Sequence, residues 1–222
     1  MSLQFEPASH TYTLDGVVVP SVTGVLKASG LIDFSQIPPS ILETARARGS
    51  RVHAAIHYYN EGDLNWDTVD DKDRPRINAW LTFLQQRQFQ ILKAEFRVYS
   101  RRYGYAGTGD VVGLLDGRLA LADFKCGEPE DVAADLQTAA YAGALYEMGS
   151  DPAPANDWVR DVLAHKGPLQ RLSIQLRRSG IPKVDPYTNP RDFREFVALV
   201  EARRIVEARK GYFKAWLHES AA

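Results

Sequence analysis

The stretch GTGDVVGLLDGRLALADFKCG, residues 107–127, decides how the rest of the chain is read. Asp116-Gly117 lies between two apolar runs, and an Asp-Gly pair so flanked is a two-residue hairpin turn, since both turn positions need positive φ. Counting outward from that tip, Leu115 faces Arg118, Leu114 faces Leu119, and Asp110 faces Asp123. Directly opposed residues hold their Cβ atoms about 4.5–5.5 Å apart on one face of a sheet. Lys125, two residues past Asp123, falls on that same face. The alternating residues, among them Val111, Leu115, Ala122 and Phe124, are apolar, so both faces of the hairpin are expected to be covered. Two carboxylates opposed in such surroundings repel and desolvate each other unless a cation lies between them. Oxygen ligands of this kind suit Mg²⁺ or Mn²⁺. A lysine beside them is suited to orient or deprotonate a water, or to stabilise charge on a phosphate.

Outward from the hairpin the chain alternates helices with one run of strands. HTYTL-DG-VVVP predicts an early hairpin turning at Asp15-Gly16, and Ser21 caps a short helix, VTGVLKAS, stopped by Gly30. Helices are expected over roughly 39–60 and 73–90, the second with Ile77, Trp80, Leu81 and Leu84 on one face. KAEFRVYSRR precedes the central hairpin as a further strand; with Tyr103-Gly104 at its tip, Glu95 opposes Val112 and shares a face with Asp110. A helix over roughly 130–148, a hairpin turning at Ser179-Gly180 and a last helix over roughly 190–217 complete the order. One α/β domain spanning 1–222 accommodates all of it.

A chain of 222 residues with 45% hydrophobic and 25% charged content builds a sizeable core. No apolar run approaches the roughly 20 residues of a membrane span, and the N-terminus lacks the pattern of a secretory signal, so no membrane partner and a cytoplasmic location are expected. A lone cysteine, Cys126, excludes an internal disulfide framework; it points away from Lys125 and is read as packing. Net charge of −1 argues against coating nucleic acid by bulk charge, though a locally positive cleft needs none. His53 and His57 stand at helical spacing, but HAAIH lacks the glutamate of a zinc-protease helix, and His57 is read as surface or packing. Arg203, Arg204, Arg209 and Lys210 form a solvated face.

RGSRVHAAI at 48–56, KAEFRV at 93–98, GTGDVVG at 107–113, ADFKCG at 122–127 and LQTAAYAGAL at 136–145 follow one another in an order that resembles the PD-(D/E)XK nuclease superfamily, in its RecB and λ-exonuclease type with small phage-encoded members. The resemblance implies a restriction-endonuclease-like core, a mixed central sheet whose antiparallel catalytic hairpin is flanked by helices. It implies catalytic roles for Glu95, Asp110, Asp123 and Lys125, and a metal held by His53, Asp110, Asp123 and the backbone carbonyl of Phe124. Gln137 and Tyr141, four apart on one helix face, line the substrate or brace the site, and Arg48 joins them in substrate binding. Gly109 stands where the family name has proline. With Cys126 alone, the iron–sulfur cluster of some relatives has too few ligands.

The activity implied is Mg²⁺- or Mn²⁺-dependent hydrolysis of DNA, by an exonuclease of phage recombination or repair, with a homo-oligomer or a recombination protein as partner. An endonuclease, and a catalytically silent nucleic-acid-binding or structural protein on the same fold, stand as alternatives.

Overall fold

The structure, a computed structural model, describes residues 2–127, 132–165 and 167–220, with side chains as far as 210. A small antiparallel meander opens the chain: β1 (Leu3–Glu6), β2 (Thr11–Leu14) and β3 (Val17–Val19). Asp15 and Gly16 turn it with φ of 49° and 84°, the left-handed pair that a two-residue hairpin demands. Strand β1 is not expected from the sequence; its four residues, LQFE, alternate but make too short a run to read.

Helix α1 (Val22–Ala28) starts where the Ser21 hydroxyl accepts from the Gly24 N–H at 3.0 Å. The longer α2 (Pro39–Asn60) begins with proline at its first position, where the missing N–H costs nothing. Helix α3 (Arg74–Arg87) ends on Gln88 in a left-handed conformation, φ 45°.

The central sheet runs β4 (Gln90–Ser100), β5 (Tyr105–Leu115), β6 (Arg118–Lys125), β7 (Gln170–Gln175) and β8 (Lys183–Tyr187), in that spatial order. It is mixed: β6 and β7 are parallel and every other neighbouring pair is antiparallel. The parallel step requires a crossover, supplied by α4 (Ala134–Ser150) and α5 (Asp157–Leu163), before α6 (Asp192–Ser220) closes the chain. Helix α4 begins later than the expected residue 130, which lies outside the described residues, and the short α5 has no counterpart in the sequence reading.

Two turns differ from the sequence reading. Between β4 and β5 the last pair is Ser100 with Tyr105, so residues 101–104 form a four-residue loop rather than a two-residue tip. The cause is tertiary: the Glu147 carboxylate on α4 accepts from Ser100 Oγ at 2.5 Å and from the N–H groups of Arg101 and Arg102 at 2.7 and 2.9 Å. Between β7 and β8 the last pair is Gln175 with Lys183, leaving a loop over 176–182 in place of a tight Ser179-Gly180 turn. There the Leu176 N–H pairs with the Lys125 carbonyl at 2.8 Å, and the chain then leaves the sheet.

Both faces of the sheet are covered. On one, Val98, Tyr105, Val112 and Leu121 pack against Ala140 and Leu145 of α4 and Phe196 of α6. On the other, Val111, Ala122, Phe124 and Ile174 pack against Val52 and Ile56 of α2 and Ile77, Trp80 and Phe83 of α3. Among the described residues no helix is long and apolar enough to cross a membrane.

Candidate metal and catalytic site

Asp116 and Gly117 turn the β5–β6 hairpin with φ of 51° and 73°, and the register follows: Leu115 with Arg118 through Val111 with Ala122. One step beyond, at Asp110 and Asp123, the ladder stops. The Phe124 N–H is taken instead by the Asp110 carboxylate, at 2.6 Å to Oδ2. Because the Lys125 carbonyl bonds across to β7, the alternating residue Phe124 turns both its N–H and its C=O toward β5. Where the strands part, α2 and α4 close around a cavity of about 210 Å³ lined by His53, Asp110, Asp123, Phe124, Lys125, Gln137 and Tyr141.

The opposite neighbour of Asp110 is Glu95. Flanking pairs Ala94–Val111 and Phe96–Gly109 put Glu95 across from Asp110, correcting the expected opposition to Val112; the longer 101–104 loop accounts for the shift, since the register runs unbroken from Ser100–Tyr105 to Lys93–Val112. Glu95 adopts φ 46°, a left-handed conformation that a non-glycine residue within a strand adopts at a cost of about 1–3 kcal/mol. His53 on α2 completes the group: its Nδ1 lies 3.2 Å from Asp110 Oδ1. One ligand atom each from His53, Glu95 and Asp110 fall within 4.8 Å of one another.

A second group joins it from α4. Lys125 Nζ donates to Gln137 Oε1 at 2.6 Å and pairs with Asp123 Oδ2 at 2.8 Å. Gln137 Nε2 donates to Asp123 Oδ1 at 3.2 Å and to the Tyr141 hydroxyl at 3.0 Å. Gln137 is thus a clamp on Lys125, Asp123 and Tyr141 together. Tyr141 comes this close because residue 107 is glycine; a Cβ there would stand 2.7 Å from Tyr141 Cε1.

The electrostatics follow from burial. Asp123 is 4% exposed, and burial, then the charge of Asp110, raise its pKa against the opposing pull of Lys125. Glu95 is raised by burial and then by Asp110. Burial would depress His53, but the Asp110 carboxylate, with Cys126 behind it, outweighs that and holds the imidazole well above its usual range. The site thus gathers the carboxylates of Glu95, Asp110 and Asp123 with the His53 imidazole and the Lys125 ammonium.

Of the residues singled out in the sequence, Glu95, Asp110, Asp123, Phe124, Lys125, Gln137, Tyr141 and His53 converge here. Arg48 does not: it lines a neighbouring cavity with Arg76 and Arg178. Cys126 packs on the α2–α3 side, as expected, yet also borders that second cavity. Half-buried His57 leaves its Nδ1 without a hydrogen-bond partner among the described residues. Sequence reasoning missed Tyr12, a buried residue that lines the first cavity with its hydroxyl 2.8 Å from Thr108 Oγ1. The early hairpin was legible, but nothing local says which surface it covers.

No protein-family model matches the chain, and no curated protein does. Similar solved structures include a candidate exonuclease from Eubacterium rectale, 13% identical, covering 85% of this chain and 73% of its own, with a TM-score of 0.44. The alkaline exonuclease LHK-Exo from Laribacter hongkongensis is 13% identical, covering 90% of this chain and 93% of its own, with a TM-score of 0.37. Its complex with dAMP, also 13% identical, covers 90% and 94% with a TM-score of 0.39. At these values the function of this chain rests on its own site.

Proposed function

We propose that residues 1–222 form a single nuclease domain of the PD-(D/E)XK type, with a restriction-endonuclease-like core, hydrolysing DNA phosphodiesters with Mg²⁺ or Mn²⁺. The observation that carries this reading is the convergence of His53, Glu95 and Asp110 within 4.8 Å, beside Asp123 and Lys125. The residues fit a hard divalent cation. They offer carboxylate oxygens and an imidazole, and burial, with the charge of Asp110 adding to it, holds Glu95 and Asp123 above their ordinary pKa. His53, Asp110, Asp123 and the Phe124 carbonyl would hold it, with Glu95 joining from β4. A cation so held would polarise the scissile phosphate and lower the pKa of the attacking water.

The chain's own groups do the rest. Lys125 stands at the cavity wall with its ammonium oriented by Asp123 and Gln137, placed to steer a water or to stabilise charge on the phosphate. Gln137 accepts from that ammonium, and Tyr141 backs Gln137. Asp110 accepts from Phe124 N–H and pairs with His53, which fixes both its oxygens. The substrate we assign is DNA and the mode exonucleolytic, in recombination or repair in the cytoplasm, with any homo-oligomer or recombination partner supplying grip beyond the cleft.

The test is release of nucleotides from linear duplex DNA. Activity is expected with Mg²⁺ or Mn²⁺ and none with EDTA, and Asp110→Asn and Asp123→Asn are expected to be inactive while remaining folded. Metal-independent cleavage, or full activity in both variants, refutes the reading.

A further inference from the structure

Next to the metal group lies the larger cavity, about 440 Å³, bordered by Arg48, Arg76, Arg178, Cys126, Ser40 and Thr44. The three arginines come from three elements: α2, α3 and the loop after β7. Cys126 links this cavity to the candidate site: it borders the cavity, follows Lys125 in the chain and acts on the His53 imidazole.

Three like charges do not gather in a partly enclosed space without something to balance them. Arg76 is only 4% exposed, and its Nε, like the Nε of Arg48, is buried with no hydrogen-bond partner among the described residues. Asp73, the acid that acts on Arg76, is itself paired with Arg51 at 2.7 Å. Burial and then the charge of Arg48 push the Arg76 pKa down, with Arg178 adding to the repulsion. Apolar packing offers no compensation for these donors; an oxyanion does, because guanidinium forks match phosphate oxygens in pairs.

We infer that this cavity is a phosphate subsite, in which Arg48, Arg76 and Arg178 hold a phosphate of the same nucleic-acid strand whose scissile bond lies at the metal group. The inference rests on the nuclease reading for the identity of the strand, and on the three guanidiniums for the chemistry. The phosphate is either an internal diester or a terminal monoester, which the same donors recognise.

The experiment measures binding of a short fluorescein-labelled oligothymidylate by anisotropy, in EDTA so that catalysis plays no part, across a salt series. Wild type is compared with Arg178→Gln and Arg48→Gln, each checked for an unchanged melting temperature. Arg178 is exposed, so its variant keeps the fold. Each variant is expected to bind about tenfold more weakly, with the log–log salt slope falling by about 0.7 because one phosphate is no longer neutralised. Single neutral methylphosphonate linkages and removal of the terminal phosphate then separate the sources. Whichever change weakens wild type but leaves the variants unaffected identifies the group held. Wild-type affinity and salt slope in both folded variants overturn the inference. Weakened binding by the variants, together with no metal-dependent cleavage by wild type, would leave the subsite standing and remove the nuclease reading.

Discussion

Asp110 ties three parts of the site together: one carboxylate faces Glu95 across the ladder, pairs with His53 and accepts from Phe124. Removing its charge relieves Glu95 and Asp123, so metal-free Asp110→Asn is expected to melt at or above the wild-type temperature. The same variant should lose the metal-induced rise in melting temperature, worth about 2.7 kcal/mol at a hundredfold excess over Kd in wild type. A thermal-shift titration checks both halves. His53 gives a pH dependence with a defined sign. Its folded pKa is raised, so its contribution to the metal-free protein is fully present below the ordinary imidazole value near 6.5 and is lost as pH rises through the folded value. Metal must displace that proton, so the metal-induced stabilisation should grow over the same interval. His53→Gln should flatten both profiles, and unchanged profiles would remove His53 from the site. Gln137→Ala leaves Lys125, Asp123 and Tyr141 without their common partner. A fall in kcat of about 10–100-fold, or roughly 1.4–2.7 kcal/mol, with a smaller change in KM is expected from steady-state kinetics.

At the scale of elements, the site depends on α3 and α4 being pressed onto the two faces of the sheet. Trp80 is fully buried, its ring 4.7 Å from that of Phe124 and its Nε1 bonded to Asn60 at 3.0 Å. Trp80→Ala should cost about 3–5 kcal/mol in a denaturant melt. Gly107→Ala should cost about 1–3 kcal/mol by crowding Tyr141 and Val22, and should also lower turnover, because α4 carries Gln137. The β5–β6 hairpin was legible because the Asp-Gly turn is a local demand, and that register places Asp110 and Asp123 at the point where the strands part. The Glu95 register was not legible, since it turns on Glu147 holding a loop from a helix far along the chain. The second cavity was hidden for the same reason: Arg76 and Arg178 have no sequence signature and meet Arg48 only in the folded chain.

For the whole molecule, a net charge of −1 limits the grip on duplex away from the cleft, because non-specific affinity scales with the phosphates neutralised. Cations nonetheless line both cavities, Lys125 in one and three arginines in the other. A chain built this way should engage a DNA end, where a single strand reaches both cavities, in preference to the middle of a closed duplex. The direct measurement is cleavage of end-labelled linear DNA against covalently closed circles in Mg²⁺ or Mn²⁺, with EDTA and Lys125→Ala as controls. The expected result is degradation of the linear substrate much faster than the circle, abolished by EDTA and by Lys125→Ala; cleavage that persists in Lys125→Ala, or intact linear DNA with wild type and metal, would contradict it.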